Sequence, residues 1–150
     1  MGKYIRKAER LAQMSPDERE AFELANQGIR LGAEGRHAES VEQWQLAAQI
    51  AARSLPEEPI RFWIDGGLAA ALYEVGRYRE SIVAAERARP FCLSLPQPSA
   101  TLSLARSWLA LGEAASARPY LQALRDMIGD DDLASYDPAL YAQLKGVLDG

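Results

Sequence analysis

The chain has 150 residues, of which 48% are hydrophobic and 25% charged, enough for one folded domain over residues 1–150. Its net charge is −4 and its lysines and arginines are dispersed, which argues against a nucleic-acid partner. The single cysteine, Cys92, excludes an internal disulfide and is typical of a reducing compartment, so a cytoplasmic location is expected. No signal peptide is visible and no apolar run reaches the ~20 residues of a membrane span, so no membrane partner is expected.

The first helix has a clear start signal and a clear end. Ser15 is suited to cap the free backbone N–H groups, Pro16 suits the first helical position, and Glu18 completes a capping box. This helix is predicted to run to about Ala33, where Gly35 separates it from a second helix. The apolar stripe of the second helix is Val41, Trp44, Ala48 and Ala51.

Apolar residues at steps of three and four predict a third helix over about 59–75. Gly66 and Gly67 lie inside it, where each glycine costs about 1 kcal/mol relative to alanine. A close backbone approach, by a bound partner or by a neighbouring helix, would explain them. A fourth helix is predicted over about 77–89, because Pro90 lacks an N–H group and should stop or kink it.

Two prolines, Pro96 and Pro98, mark a linker before a fifth helix over about 99–111. Ser116 is the predicted cap of the sixth helix, which places Pro119 in the first turn, where a missing N–H costs little.

The carboxyl end combines an acidic run with one more helix. Gly129 should stop the sixth helix, and Asp130, Asp131 and Asp132 lack the spacing of a calcium-binding loop, so a solvated acidic loop is expected there. Asp137 then starts a last helix. Nothing in the sequence alternates as a strand does.

Three turns share one form, in which a helix, a glycine, a short turn and a second helix follow each other. Their glycines, Gly35, Gly76 and Gly112, recur roughly every 40 residues, near the ~34-residue period of tetratricopeptide repeats. The sequence resembles the tetratricopeptide repeat (TPR) family here. In that family a small residue lies seven positions before the turn glycine, and here it is Gly28, Ala69 or Ala105. A larger residue usually lies four positions before the glycine, and here it is Leu31, Leu72 or Trp108. The second helix of a repeat has a small, a bulky and a small residue in turn, which the first hairpin matches with Ser40, Trp44 and Ala47.

The composition and the resemblance together predict an all-α fold. The resemblance implies a right-handed α-solenoid of about three TPR-like helical hairpins, at 16–54, 59–89 and 99–128, with a C-terminal capping helix at 138–148. It also implies that the first helices of the hairpins line a groove for a protein segment. The residues at the groove positions are Phe22, Ala25, Ile29, Trp63, Gly66, Ala70, Tyr73, Leu102, Arg106 and Leu109.

The groove positions favour an apolar ligand. TPR proteins that clamp an acidic chaperone tail carry Lys, Asn and Arg where this sequence has Ala25, Ile29 and Ala70. An apolar helix or an extended strand is therefore the expected ligand. Whether Trp63 and Phe22 belong to the groove or to the core is open at this point.

The last third of the chain has a looser resemblance to small bacterial TPR immunity proteins, which are encoded beside polymorphic toxins. It rests on Leu109-x-Leu111-Gly112-Glu113, Ala117-x-x-Tyr120-Leu121, Gly129 and Asp137-Pro138-x-x-Tyr141-x-x-Leu144. It implies a non-catalytic module that sequesters one protein, a toxin. A secretion chaperone that holds an apolar client segment and a general TPR scaffold or adaptor are the alternatives.

No enzymatic constellation is present in the sequence. His37 is the only histidine, so a catalytic triad or a typical zinc site lacks its second partner, and a packing role is expected. Cys92 has no histidine near it in sequence and is expected to be a buried apolar residue. No phosphate-binding glycine loop occurs. We therefore expect no catalytic residues, no metal, no cofactor and no enzyme activity.

Overall fold

The computed structural model describes residues 13–95 and 97–150, and this part of the chain is all-α, as predicted. Its eight helices are α1 (Pro16–Ala33), α2 (His37–Ser54), α3 (Pro59–Glu74), α4 (Tyr78–Ser94), α5 (Ser99–Ala110), α6 (Ala114–Ile128), α7 (Asp130–Tyr136) and α8 (Pro138–Leu148). Residues 1–12, and Pro96 of the predicted linker, lie outside the described residues. None of these eight helices is long and apolar enough to cross a bilayer.

Two helices begin at the caps that the sequence predicts. Ser15 Oγ accepts a hydrogen bond of 3.2 Å from the Glu18 backbone N–H at the start of α1. Asp137 Oδ1 accepts one of 3.0 Å from the Leu140 N–H at the start of α8. Each bond satisfies a donor that has no partner inside the helix, which is worth about 1 kcal/mol.

The turns after α1, α3 and α5 repeat one backbone conformation. Gly35, Gly76 and Gly112 have φ of +79°, +80° and +76°, in the left-handed region that a Cβ disfavours. The N–H of the following residue donates to a carbonyl in the last turns of the helix at 2.9 Å, in the pairs Arg36–Leu31, Arg77–Leu72 and Glu113–Trp108. This is the hydrogen bond of a Schellman motif, which closes the helix end.

The prediction that Pro90 ends the fourth helix is wrong, because α4 continues through it to Ser94. Pro90 donates no hydrogen bond, so the carbonyl one turn earlier loses its partner. Packing offsets this cost: Phe91 stacks on Phe62 of α3 with ring centroids 5.6 Å apart, and Cys92 is buried.

The predicted cap of the sixth helix is also wrong. The helix α6 begins at Ala114, ahead of Ser116, and Pro119 lies inside it rather than in its first turn. Pro119 is exposed, and so is Ala115, whose carbonyl loses its helical donor. Water can therefore satisfy that carbonyl, and the helix tolerates the proline.

The acidic run is a helix, not the predicted solvated loop. Asp130, Asp131 and Asp132 form the first turn of α7, where carboxylates interact favourably with the helix dipole. Leu133 is fully buried and anchors this short helix to the core. Burial of Leu133 stabilises this helix, and the three aspartates alone do not predict that burial.

Each helix packs on the next one along the chain, and α1 also contacts α3, as α3 contacts α5. Buried apolar residues of the described part form two clusters. The N-terminal cluster, mostly alanine, surrounds Trp44 in α1 to α5, and the C-terminal cluster consists mainly of leucines of α5 to α8. Trp108 and Tyr120 pack against both clusters and join them.

Candidate functional site

Most of the predicted groove residues lie on the surface formed by α1, α3 and α5, which we call the odd-helix face. Residues seven apart in a helix share one side, as Phe22 and Ile29 do on α1 and Trp63 and Ala70 do on α3. The odd-helix face consists of Phe22, Ile29, Trp63, Ala70, Tyr73, Arg106 and Leu109, each exposed or half-buried.

Aromatic contacts connect the three helices across this face. Phe22 of α1 stacks on Trp63 of α3 with ring centroids 5.9 Å apart. The Arg106 guanidinium of α5 lies over the Tyr73 ring of α3, with its Cζ 5.9 Å from the ring centroid. Such contacts hold large side chains in place before any partner arrives, which lowers the entropy that binding costs.

The Trp44 ring is the floor of the first half of the face. It lies 5% exposed between two helix backbones, and a Cβ on Gly28 would lie 2.7 Å from it. A Cβ on Gly67 would lie 2.2 Å from it, so only glycine fits at either position. The close approach expected at Gly67 is therefore made by the side chain of a neighbouring helix.

Trp63 belongs to both core and surface. Its ring meets Trp44 edge to face at 5.8 Å, yet 39% of the residue is exposed. Ile29, on the same odd-helix face, is 48% exposed. Large apolar side chains that remain exposed on one face are typical of interaction surfaces.

Two open cavities lie along the face. The first, of about 330 Å³, lies between α1 and α3. It is lined by Ile29, Ala70 and His37, with Trp44 and Gly67 beneath. The second, of about 360 Å³, is lined by Tyr73, Arg106 and Leu109, and α8 closes its far side. Ala70 and Tyr73 are neighbours on α3, so the two cavities adjoin.

Arg106 is the fixed charge of the second cavity. Its Nη2 donates to Asp137 Oδ2 at 2.7 Å, and its guanidinium lies 6.0 Å from the Tyr136 ring centroid. Hydrogen bonding by the Leu140 N–H, and then by Arg106, lowers the pKa of Asp137 below its ordinary value. Burial raises the pKa of the Tyr73 hydroxyl above its ordinary value.

Three predicted groove residues lie elsewhere. Ala25 is fully buried in the N-terminal cluster. Gly66 is half-buried and faces α4, since a Cβ there would lie 3.9 Å from the Ala88 Cβ. Leu102 is 9% exposed and lines a separate apolar cavity of about 510 Å³ with Pro98, Ile128 and Tyr136.

The residues that α8 and its preceding turn bring to the second cavity were not predicted. They include Asp137, which the sequence predicts only as a helix start, and Gln143. Tyr136, the last residue of α7, lies near Arg106 but does not line this cavity. Asp137 lies 31 positions from Arg106 in the chain, so no local pattern connects them. The Tyr136-Asp137-Pro138 run, an aromatic beside a capping acid, is the one local signal.

Among the described residues, no group of three or more His, Cys, Asp or Glu side chains is placed to hold a metal ion. Cys92 is buried, as predicted, and His37 is half-buried at the rim of the first cavity.

No protein-family model matches this chain, and no curated protein sequence matches it.

Proposed function

We propose that this chain is a non-catalytic, TPR-like module that binds and sequesters one protein partner through its odd-helix face. The observation that carries the proposal is the exposure of large apolar side chains on the odd-helix face: Ile29 is 48% exposed beside an open cavity, and Trp63 on the same face is 39% exposed. A rigid apolar patch of this kind fits an apolar helix or strand laid across the helices.

The repeat architecture belongs to the same proposal. The three like turns, and the contacts of α1 with α3 and α3 with α5, support hairpins stacked as a right-handed solenoid with α8 as its cap. Ser40 Oγ donates to the Gly28 carbonyl at 2.6 Å, and Ser81 Oγ donates to the Ala69 carbonyl at 2.7 Å, at matching places in the first two hairpins.

Within this module we propose a toxin as the partner, so that the chain acts as an immunity protein. The support is the resemblance over 102–144, of whose shared residues Asp137 contacts Arg106 of α5 and Tyr141 contacts Asp130 of α7. The net charge of −4 would speed the capture of a basic protein.

The test is a purification of the tagged chain from its host, followed by identification of the bound protein and measurement of its affinity. A stoichiometric toxin held at nanomolar or tighter affinity supports the proposal. A secreted client indicates a chaperone instead, and several weak partners indicate a scaffold.

A matched pair of variants locates the binding surface. Ile29→Gln should weaken binding about 10-fold or more, because it removes an apolar contact from the odd-helix face. Leu46→Gln is the control, since Leu46 is 46% exposed on α2 and lines neither cavity of the face. Equal losses in both variants would refute the placement of the site.

A further inference from the structure

A second cleft lies between α2 and α4, with α3 as its floor. One section of it, of about 430 Å³, is bounded by Gln45 and Gln49 of α2 and by Arg87 of α4. A neighbouring section shares Gln45 and Arg87, so the two form one continuous cleft. None of the odd-helix face residues lines either section.

A buried carboxylate stands in the floor of this cleft. The Asp65 side chain is 4% exposed, within a run of otherwise apolar buried residues of α3. Arg87 Nη2 lies 3.4 Å from Asp65 Oδ1, and Arg61 Nε lies 3.9 Å from Asp65 Oδ2. A buried ion pair seldom stabilises a fold more than apolar packing would, so stability alone does not explain the cluster.

Both arginines of the cluster retain N–H donors that no acceptor of the cluster uses. Arg61 Nη1 also donates to the Pro56 carbonyl at 3.1 Å, which fixes its guanidinium at a second point. The Arg87 side chain is 42% exposed. Each guanidinium has five N–H donors, and most of them have no acceptor among the contacts of this cluster.

The charge of the cluster selects the ligand. Two guanidinium groups and one carboxylate leave this part of the cleft positive, whereas the whole chain has a net charge of −4. An added cation would be repelled, and an added carboxylate would receive charge-assisted hydrogen bonds. Ala48, Ala52 and Leu68 beside the arginines suit the methylene groups of a peptide better than a bare inorganic ion.

We propose that the cleft between α2 and α4 binds an acidic side chain, a glutamate or aspartate, on a segment of a protein partner. Arg61 and Arg87 donate to its carboxylate. Asp65 is the positioning residue that holds the two guanidinium groups side by side. This site is separate from the odd-helix face and does not depend on the function proposed for that face.

The first measurement follows the arginine Nε–Hε signals of the isotopically labelled full chain by NMR. The probes are the peptide acetyl-Ala-Ala-Glu-Ala-Ala-amide, its Gln counterpart and inorganic phosphate. The Glu peptide should shift the Arg61 and Arg87 signals saturably, with at least about 10-fold higher affinity than the Gln peptide. Equal binding of the two peptides, no binding of the Glu peptide, or equally tight phosphate binding would overturn the proposal.

Matched charge-removal variants complete the test. Arg87→Gln and Arg61→Gln should each lower the affinity for the Glu peptide about 10-fold. Arg53→Gln is the control: it removes the same charge from the exposed end of α2, outside the cleft, and should change affinity less than about 2-fold. Circular dichroism shows whether each variant is folded. An equal loss in Arg53→Gln would mean diffuse attraction and no built site.

Discussion

The two clusters of this molecule reach a packed interior by different routes. The N-terminal cluster is mostly alanine, so its helix backbones come close together, and one large ring, Trp44, fills the space left by Gly28 and Gly67. The C-terminal cluster consists mainly of leucines, among which Leu121 and Leu133 are fully buried. The packing of the N-terminal cluster depends on steric fit at a few positions. The packing of the C-terminal cluster depends on apolar area buried by many side chains.

The edges of the two clusters differ in the same sense. Ion pairs join helices at the rim of the C-terminal cluster, where Arg125 contacts Asp149 at 2.7 Å and Asp130 at 3.0 Å. The N-terminal cluster has an interhelical ion pair, Arg87 with Asp65, and serine hydroxyls that donate to the backbone of the preceding helix, at Ser40 and Ser81.

The largest effect is expected in the leucine cluster. Leu133→Ala should lower the free energy of unfolding by about 2–5 kcal/mol, because it empties a fully buried site in the short helix α7. Urea denaturation measures this loss. Tyr136→Ala in the same helix, where the residue is 65% exposed, should change stability by no more than about 0.5 kcal/mol. If the two variants were equal, α7 would not be anchored to the core.

The adjacent glycines of α3 test the steric route. Gly67→Ala should destabilise the fold by about 1–3 kcal/mol, because its Cβ would overlap the Trp44 ring. Gly66→Ala meets only the Ala88 Cβ at 3.9 Å and should be neutral or up to about 1 kcal/mol stabilising through helix propensity. Thermal melting of the pair measures the difference, and equal shifts would mean that Trp44 is not confined.

The pH dependence of stability tests the buried charge of the N-terminal half. Burial raises the pKa of Asp65 above its ordinary value of 3.8, against the pull of Arg87 and Arg61. Its charge therefore costs the folded state, and that cost sets in as pH rises from about 3.8 through the raised pKa. The stability of Asp65→Asn relative to the unmodified chain should increase over this window.

Urea denaturation at steps from about pH 3 to pH 7 measures that trend. Glu39→Gln is a control of opposite sign, since hydrogen bonding by Arg36 lowers the pKa of Glu39. The stability of Glu39→Gln relative to the unmodified chain should fall as pH rises. A relative stability of Asp65→Asn that also fell would show that the two arginines outweigh burial.

The smallest effect is expected at the ionic rim of the C-terminal cluster. Arg125→Gln removes the two-pronged contact with Asp149, at 2.8 Å and 2.7 Å, and should lower the melting temperature slightly in dilute buffer. The difference should vanish in about 1 M NaCl, where the screening length is only ~3 Å. A difference that persisted in high salt would indicate lost packing, not lost charge attraction.

Local signals in the sequence were enough for most helix boundaries. Ser15 and Asp137 start helices by capping, and Gly35 ends one, because each acts through its own backbone neighbours. Pro90 and the acidic run were misjudged, since their helices depend on distant packing by Phe91 and Leu133. Packing of one side chain against another helix can stabilise a helix through a residue that would otherwise end it.

The candidate site was only partly predictable for the same reason. Helical spacing places Trp63 and Ala70 on one side, so the odd-helix face follows from periodicity. Periodicity does not show that Ala25 is covered by neighbouring helices, or that Asp137 meets Arg106 from 31 positions away. The sequence places Arg61 four positions before Asp65 on the same helix, but Arg87, 22 positions away on α4, meets this carboxylate only in the fold.

The unequal burial of the tryptophans gives the protein a built-in optical probe. Trp44 is 5% exposed and Trp63 is 39% exposed, and their rings are 5.8 Å apart. A small aqueous quencher should reach the indole of Trp63 and quench its fluorescence, but it should not reach the buried indole of Trp44. Once the third tryptophan, the half-buried Trp108, is replaced by phenylalanine, loss of quenching would therefore report a covered odd-helix face in real time, without any dye or label attached to the chain.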